Sequence, residues 1–292
     1  MKRILGEFLL CLEAAGRSPR TLATYQERLG YVVAFLVERG IEKIADVRPD
    51  HLDAYVVGLR RRELSPVTIA GRIMVIKTFL AWCVRRRYLE RSPADHLKKP
   101  RLERGGRSPP MARGDLALLI REAVRGRPRD LAVLLFLADT GCRVGELVRL
   151  KVGDVRLADL EARVDGKTGG RWVDFTERTR CAVEVWLSSR DGPSTGSGCD
   201  VGESLFGMTA NGVRKMLERL GARAGVAGRV NPHSIRHLVG QAWLDDGANL
   251  ELVRQKLGHR DITTTAMFYA HQDRERVKAA SERYSLVNGE NG

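Results

Sequence analysis

His233-Ser-Ile-Arg-His237, then Leu257-Gly-His259, then Tyr269: this stretch decides how the chain reads. Asn231-Pro232 ahead of it is a helix start, with Asn as N-cap and Pro in the first turn. His233 and Arg236, three residues apart, then share one face of the opening turn. That turn is expected to present backbone N–H groups to an anion. Asn249 caps the next helix and Gly258 ends it, so His259 falls on the turn just beyond a helix C-terminus. Tyr269 lies on the short helix that follows, from about 261 to 269. Far upstream, Gly141-Cys-Arg-Val-Gly-Glu-Leu147 sets Arg143 just after an apolar helix, with Glu146 placed to orient it or to cap locally. Arginine offers a planar fork to phosphate oxygens, histidine exchanges protons near neutral pH, and tyrosine is a nucleophile toward phosphorus. The combination points to phosphoryl transfer on a nucleic acid backbone.

Composition agrees. The chain has 292 residues and a formal net charge of +14, which makes a polyanion the expected partner. Residues 1–104 hold 21 Lys and Arg against 12 Asp and Glu, so the N-terminal third is the denser electrostatic footprint. The five cysteines are scattered, odd in number and lack a Cys-x-x-Cys pair. That pattern argues against a disulfide scaffold or a zinc site and favours a reducing cytoplasm. The early Glu7 and the short apolar run around it do not fit a signal peptide. No stretch reads as the ~20 apolar residues that span a bilayer, so a soluble, cytoplasmic protein without a membrane partner is expected. No acidic cluster suits a pair of Mg²⁺ ions and no Gly-rich Walker loop is present. Neither metal nor cofactor is expected.

The chain divides into a helical part at 1–97, a basic, Gly- and Pro-rich linker at 98–110, and a larger part at 111–292. In the first, helices are expected at 4–15, from Ser18 to Gly40, at 50–62 and from Ser65 to about Arg87. Two of them open on the same Ser-Pro-x-Thr start signal. In the second, helices are expected at 114–125, 129–140, 176–189, 208–224, 232–245 and 249–257, and a charged tail runs helical to about Ser285. Residues 152–175 switch to β-like pieces with turn signals at Asp165-Gly166 and Gly169-Gly170, a small sheet whose tight turn carries Lys167. Residues 190–204 read as a flexible surface loop. The fold class is mainly α with a small β-sheet in the C-terminal part, α+β.

In this order and spacing the residues resemble the tyrosine recombinase (phage integrase) family, and its simple Xer-type members most of all. The family's signature is an Arg in Gly-x-Arg-x-x-Glu-Leu, a β-hairpin Lys, a His-x-x-Arg, a Leu-Gly-His and a nucleophilic Tyr. Arg143, Lys167, His233, Arg236, His259 and Tyr269 supply it in turn. The resemblance implies that 1–97 is a core-binding, SAM-like DNA-binding domain and that 111–292 is the catalytic domain. It implies that Tyr269 attacks a phosphodiester to leave a 3′-phosphotyrosine. Arg143 and Arg236 would clamp the non-bridging oxygens, Lys167 would protonate the leaving 5′-oxygen, and His233 and His259 would transfer protons or contact the phosphate. It further implies a C-shaped clamp on double-stranded DNA, a Holliday junction and a synaptic tetramer. That tetramer is built from this chain alone or with a related recombinase, and an accessory DNA-binding or activating protein is compatible with it. Basic and polar residues expected to touch DNA are Arg20, Thr21, Lys77, Arg85, Arg86, Arg87, Lys98 and Lys99. Two rival readings share parts of this pattern: a type IB topoisomerase, and a non-catalytic DNA-binding protein that kept the fold. Cys142, beside Arg143, has no role that the sequence identifies.

Overall fold

The computed structural model describes residues 1–100, 111–166, 169–190 and 202–258. They fall into two compact units, within residues 1–106 and 107–292.

The first unit is built from four α-helices: α1 (Lys2–Ala14), α2 (Pro19–Val37), α3 (Pro49–Arg61) and α4 (Pro66–Arg85). The repeated start signal works as the sequence suggests. Ser18 Oγ accepts the Thr21 amide at 3.3 Å and meets its hydroxyl at 2.8 Å; Ser65 and Thr68 repeat this at 3.2 and 2.8 Å. Each cap satisfies a donor that the first turn would otherwise leave orphaned. The core is aromatic at one end, where the Phe8 ring packs edge-on against Tyr25, Phe79 and Trp82. α4 corrects one expectation. Among the described residues it is the one helix long and apolar enough to cross a membrane. Eight of its side chains, from Ile69 to Cys83, are nevertheless buried in this unit's core.

The second unit surrounds α6 (Pro128–Thr140), whose run from Ala132 to Leu137 is buried on all sides. α5 (Arg113–Val124) precedes it, and the four-residue α7 (Val144–Leu147), absent from the sequence reading, follows. An antiparallel sheet comes next in the order β1 (Val155–Arg156), β2 (Glu161–Gly166), β3 (Gly169–Asp174). Val164 pairs with Arg171 and Gly166 with Gly169 across β2 and β3. Helices α8 (Glu177–Arg190), α9 (Ala210–Arg223), α10 (Pro232–Asp245) and α11 (Leu250–Leu257) follow among the described residues.

The expected surface loop at 190–204 is anchored at both described ends. Arg190 closes α8 and donates to Ser204 O at 3.0 Å and Glu203 Oε2 at 2.7 Å. Residues 203–205 pair with 150–152 through Val152 N to Glu203 O (2.9 Å) and Leu205 N to Leu150 O (2.8 Å). Leu205 and Phe206 are buried. Residues 191–201 lie outside the described residues, as do 101–110 of the expected linker and the expected helices beyond 258.

Gly221 gives a stability prediction. An alanine inside a helix normally gains about 1 kcal/mol over glycine. A Cβ at Gly221 would sit 2.6 Å from Val230 Cγ2, on a stiff, buried, β-branched side chain. Overpacking of this kind costs about 1–3 kcal/mol. Gly221→Ala is therefore expected to lower the urea midpoint of the protein; a raised midpoint would show that α9 and the segment around Val230 can separate at no cost.

Candidate active site

The site is assembled where α6 ends. Thr140 is followed by Gly141 in the left-handed region (φ +58°), which turns the chain out of the helix. A Cβ on Gly141 would fall 2.8 Å from Leu257 Cδ2 and 3.3 Å from Val239 Cγ1, so glycine also lets α10 and α11 close on this turn. Cys142 is fully buried, its amide bonded to Thr140 Oγ1 at 3.2 Å, and burial pushes its thiol up to about 11. It is a core residue of the turn.

Arg143 begins α7, and Glu146, nearly inaccessible to solvent, reaches back to it twice. Glu146 Oε2 accepts the Arg143 amide at 2.9 Å and Oε1 accepts Arg143 Nη1 at 2.9 Å. The orienting and capping roles expected of Glu146 are thus both fulfilled. Oε1 also takes Arg171 Nη1 from β3 at 3.1 Å. Burial raises the carboxyl, and the bonds from Arg171 and Arg143 more than offset this, holding Glu146 below its ordinary range and ionised.

Arg236 approaches from the first turn of α10 and is buried. Its Nη1 donates to Gly141 O at 2.6 Å and its Nη2 to Leu257 O, while Arg143 Nη2 donates to Gly258 O at 3.1 Å. The two motif arginines therefore hang on consecutive carbonyls at the C-terminus of α11, the negative end of that helix. Burial and repulsion from Arg143 draw the Arg236 guanidinium down to about 10, which still leaves it charged at neutral pH. Three guanidiniums face one carboxylate among the described residues. The excess positive charge suits an anion with two accessible oxygens.

His233 lies one turn from Arg236 at the solvent edge of α10. Partial burial, then His237, then Arg236 lower its pKa below the ordinary 6.5, so its imidazole is neutral at physiological pH. The expected N–H cradle at this helix start is corrected. Asn231 Oδ1 itself accepts the His233 amide at 2.9 Å and the Ser234 amide at 3.0 Å, and Pro232 has no N–H to give. The cap consumes the donors that an anion would need.

Lys167, His259 and Tyr269 lie outside the described residues. The described residues adjoin two of them: Gly166, paired with Gly169, immediately precedes Lys167, and Gly258, left-handed at φ +62°, immediately precedes His259. Of the expected DNA contacts, Arg20, Arg85, Arg86, Arg87, Lys98 and Lys99 are exposed. Thr21 is engaged in the α2 cap, and Lys77 donates to Asp95 O at 3.2 Å. The sequence reading assigned Arg171 no role. Period-two alternation was the available signal, since Arg171 shares the inward face of β3 with buried Val173.

Residues 115–276 match the phage integrase family and residues 5–87 the phage integrase N-terminal SAM-like domain. A tyrosine recombinase XerC of Roseiflexus castenholzii is 31% identical over 93% of this chain and 90% of its own. One from Mycobacterium bovis is 32% identical over 97% and 98%. Among solved structures, the Tn1549 transposon integrase in complex with transposon right end DNA matches with a TM-score of 0.77 at 18% identity, over 97% of this chain and 99% of that one. The XerH site-specific recombinase bound to palindromic difH substrate matches with a TM-score of 0.70 at 18% identity, over 93% and 82%. With both parts matched and curated relatives aligned along nearly its full length, this chain belongs to the phage integrase family, as a Xer-like site-specific tyrosine recombinase.

Proposed function

We propose that Tyr269 is the nucleophile of this recombinase and that Arg143 and Arg236 are its phosphate clamp. One observation carries the proposal. Both arginines are fixed on the Leu257 and Gly258 carbonyls, at the turn that leads directly into His259 and on toward Tyr269. Guanidiniums fixed before substrate arrives stabilise charge on the phosphorane without reorganising.

The Tyr269 oxygen attacks the scissile phosphorus and the bond to the 5′-oxygen breaks, leaving a 3′-phosphotyrosine and a free 5′-hydroxyl. Lys167 supplies the proton to that leaving oxygen. Neutral His233 accepts the phenol proton or bonds to the phosphate, and His259 donates a hydrogen bond to a phosphate oxygen. The 5′-hydroxyl of one duplex then attacks the phosphotyrosine of the other, restoring a phosphodiester and the tyrosine. Each transesterification conserves bond energy, so neither nucleotide nor metal is required. Two rounds on paired sites pass through a Holliday junction, with four protomers in the synapse and residues 1–97 contributing to the grip on the duplex. Arg20, Arg85, Arg86, Arg87, Lys98 and Lys99 are placed on the solvent surface, where they would meet the DNA backbone. The net charge of +14 and the free Cys11, Cys83, Cys142 and Cys181 support action on DNA in a reducing cytoplasm.

Nicked suicide duplexes pooled from candidate sites, incubated in EDTA, test the reading. Wild type is expected to form a denaturation-resistant protein–DNA adduct, and Tyr269→Phe to bind DNA without forming one. An adduct in the Tyr269→Phe protein would assign the nucleophile elsewhere. Loss of all adduct in EDTA would remove the metal-free scheme.

A pH series on the same substrate tests His233. Its imidazole is neutral above its lowered pKa and charged below it, so cleavage is expected to hold down to pH 6.5 and to fall only under that value. His233→Gln should flatten this acid limb. An unchanged limb in that variant would assign the titration to another group.

A further inference from the structure

β3 makes contacts that the chemistry above does not use. The Arg171 side chain is 20% exposed and spends one donor on Glu146. Its Nε and Nη2 are buried without a hydrogen bond. A buried guanidinium with unused donors is a costly way to fill space. Its flat face lies against Gly258, where a Cβ would meet Nε and Cζ at 2.7 Å and Cδ at 2.9 Å. Three residues on, Asp174 Oδ2 holds Lys256 Nζ at 2.8 Å, and that ammonium also lies 5.0 Å from the centre of the Trp243 ring. The Lys256 side chain is only 6% exposed. β3 thus grips the last turn of α11 at two points, Lys256 and Gly258, which bracket Leu257. The Leu257 and Gly258 carbonyls are the ones that hold Arg236 and Arg143.

We infer that Arg171 is a positioning residue for strand cleavage, setting Arg143 through the carboxylate they share and fixing the α11 turn on which both clamp arginines hang. The inference rests on the reading of Arg143 and Arg236 as the phosphate clamp. Arg171 itself need not touch DNA. Its position on β3, four residues after Lys167, links the hairpin that carries the general acid to the arginines that hold the phosphate. A hairpin pulled out of register would loosen both together.

The test uses the full chain as wild type, Arg171→Met, Arg143→Met and the double variant, with Arg171→Lys as a conservative change. Methionine keeps the apolar stem that packs on Gly258. One arm measures single-turnover cleavage at saturating protein, with duplex Kd measured separately. Arg171→Met is expected to slow cleavage roughly tenfold to hundredfold, the cost of a clamp displaced by about 1 Å, with Kd nearly unchanged. Arg171→Lys should recover part of the rate, since an ammonium pairs with Glu146 but lacks the fork. The loss caused by Arg171→Met should shrink sharply in the Arg143→Met background, because residues acting through one group are not additive. The second arm reads the rise in Tm produced by sulfate ion in the same proteins and needs no chemistry. Arg171→Met should reduce that rise in the wild-type background and not in the Arg143→Met background. Equal cleavage rates in wild type and Arg171→Met, or losses that add in both backgrounds, would overturn the inference. If wild type forms no adduct, the clamp reading fails on its own account, and equal sulfate shifts in wild type and Arg171→Met then overturn the positioning role separately.

Discussion

A single buried carboxylate organises the catalytic unit. Glu146 sits in the interior with its two oxygens divided among the Arg143 amide, the Arg143 guanidinium and the Arg171 guanidinium. A buried charge is tolerable only when fully paired and hydrogen-bonded, and removing one partner costs about 3–5 kcal/mol. Here the pairing serves placement. The carboxylate fixes the start of α7, points Arg143 outward and draws β3 against the same point. Arg143 remains nearly half exposed. It is held from behind and open in front, as its proposed place in the phosphate clamp requires.

Arg236 is held by different means. Among the described residues it has no carboxylate partner of its own and donates instead to the carbonyls of Gly141 and Leu257. A carboxylate there would neutralise the charge that the proposed clamp offers a phosphate; a carbonyl orients it and leaves the charge in place. The cluster therefore keeps three positive groups against one negative; burial first, and repulsion from Arg143 second, lower the Arg236 pKa. Binding of an anion relieves that repulsion. Two left-handed glycines make the arrangement sterically possible. Gly141 admits α10 and α11, and Gly258 admits the face of Arg171.

The parts of this molecule that were legible in the sequence depend on near neighbours. Ser18, Ser65, Asn231 and Asn249 cap the helices they precede because a cap and its amide are two or three residues apart. Arg143 and Glu146 could be paired on paper for the same reason. The contacts the sequence hid join residues far apart along the chain. Arg171 meets Glu146, and Lys256 meets Asp174 across 82 positions, through a sheet register and a helix docking that no local pattern specifies. Polar caps also misled in one respect. Asn231 was correctly read as a helix start, but a side chain that caps well leaves no amides over for a ligand. The apolar α4 was underestimated as a span because its buried face is continuous enough to pass for one.

The central claim is that Arg143 and Arg236 wait, already placed, for one phosphate, with Glu146 holding the arrangement behind them. A crystal structure of the Tyr269→Phe protein on an intact duplex site would test it most directly. The account predicts the scissile phosphate within hydrogen-bond distance of both guanidiniums, Arg236 still on the Gly141 and Leu257 carbonyls, and Glu146 still bonded to Arg143 and Arg171. A phosphate bound away from the two arginines, or a Glu146 released from them on DNA binding, would contradict it.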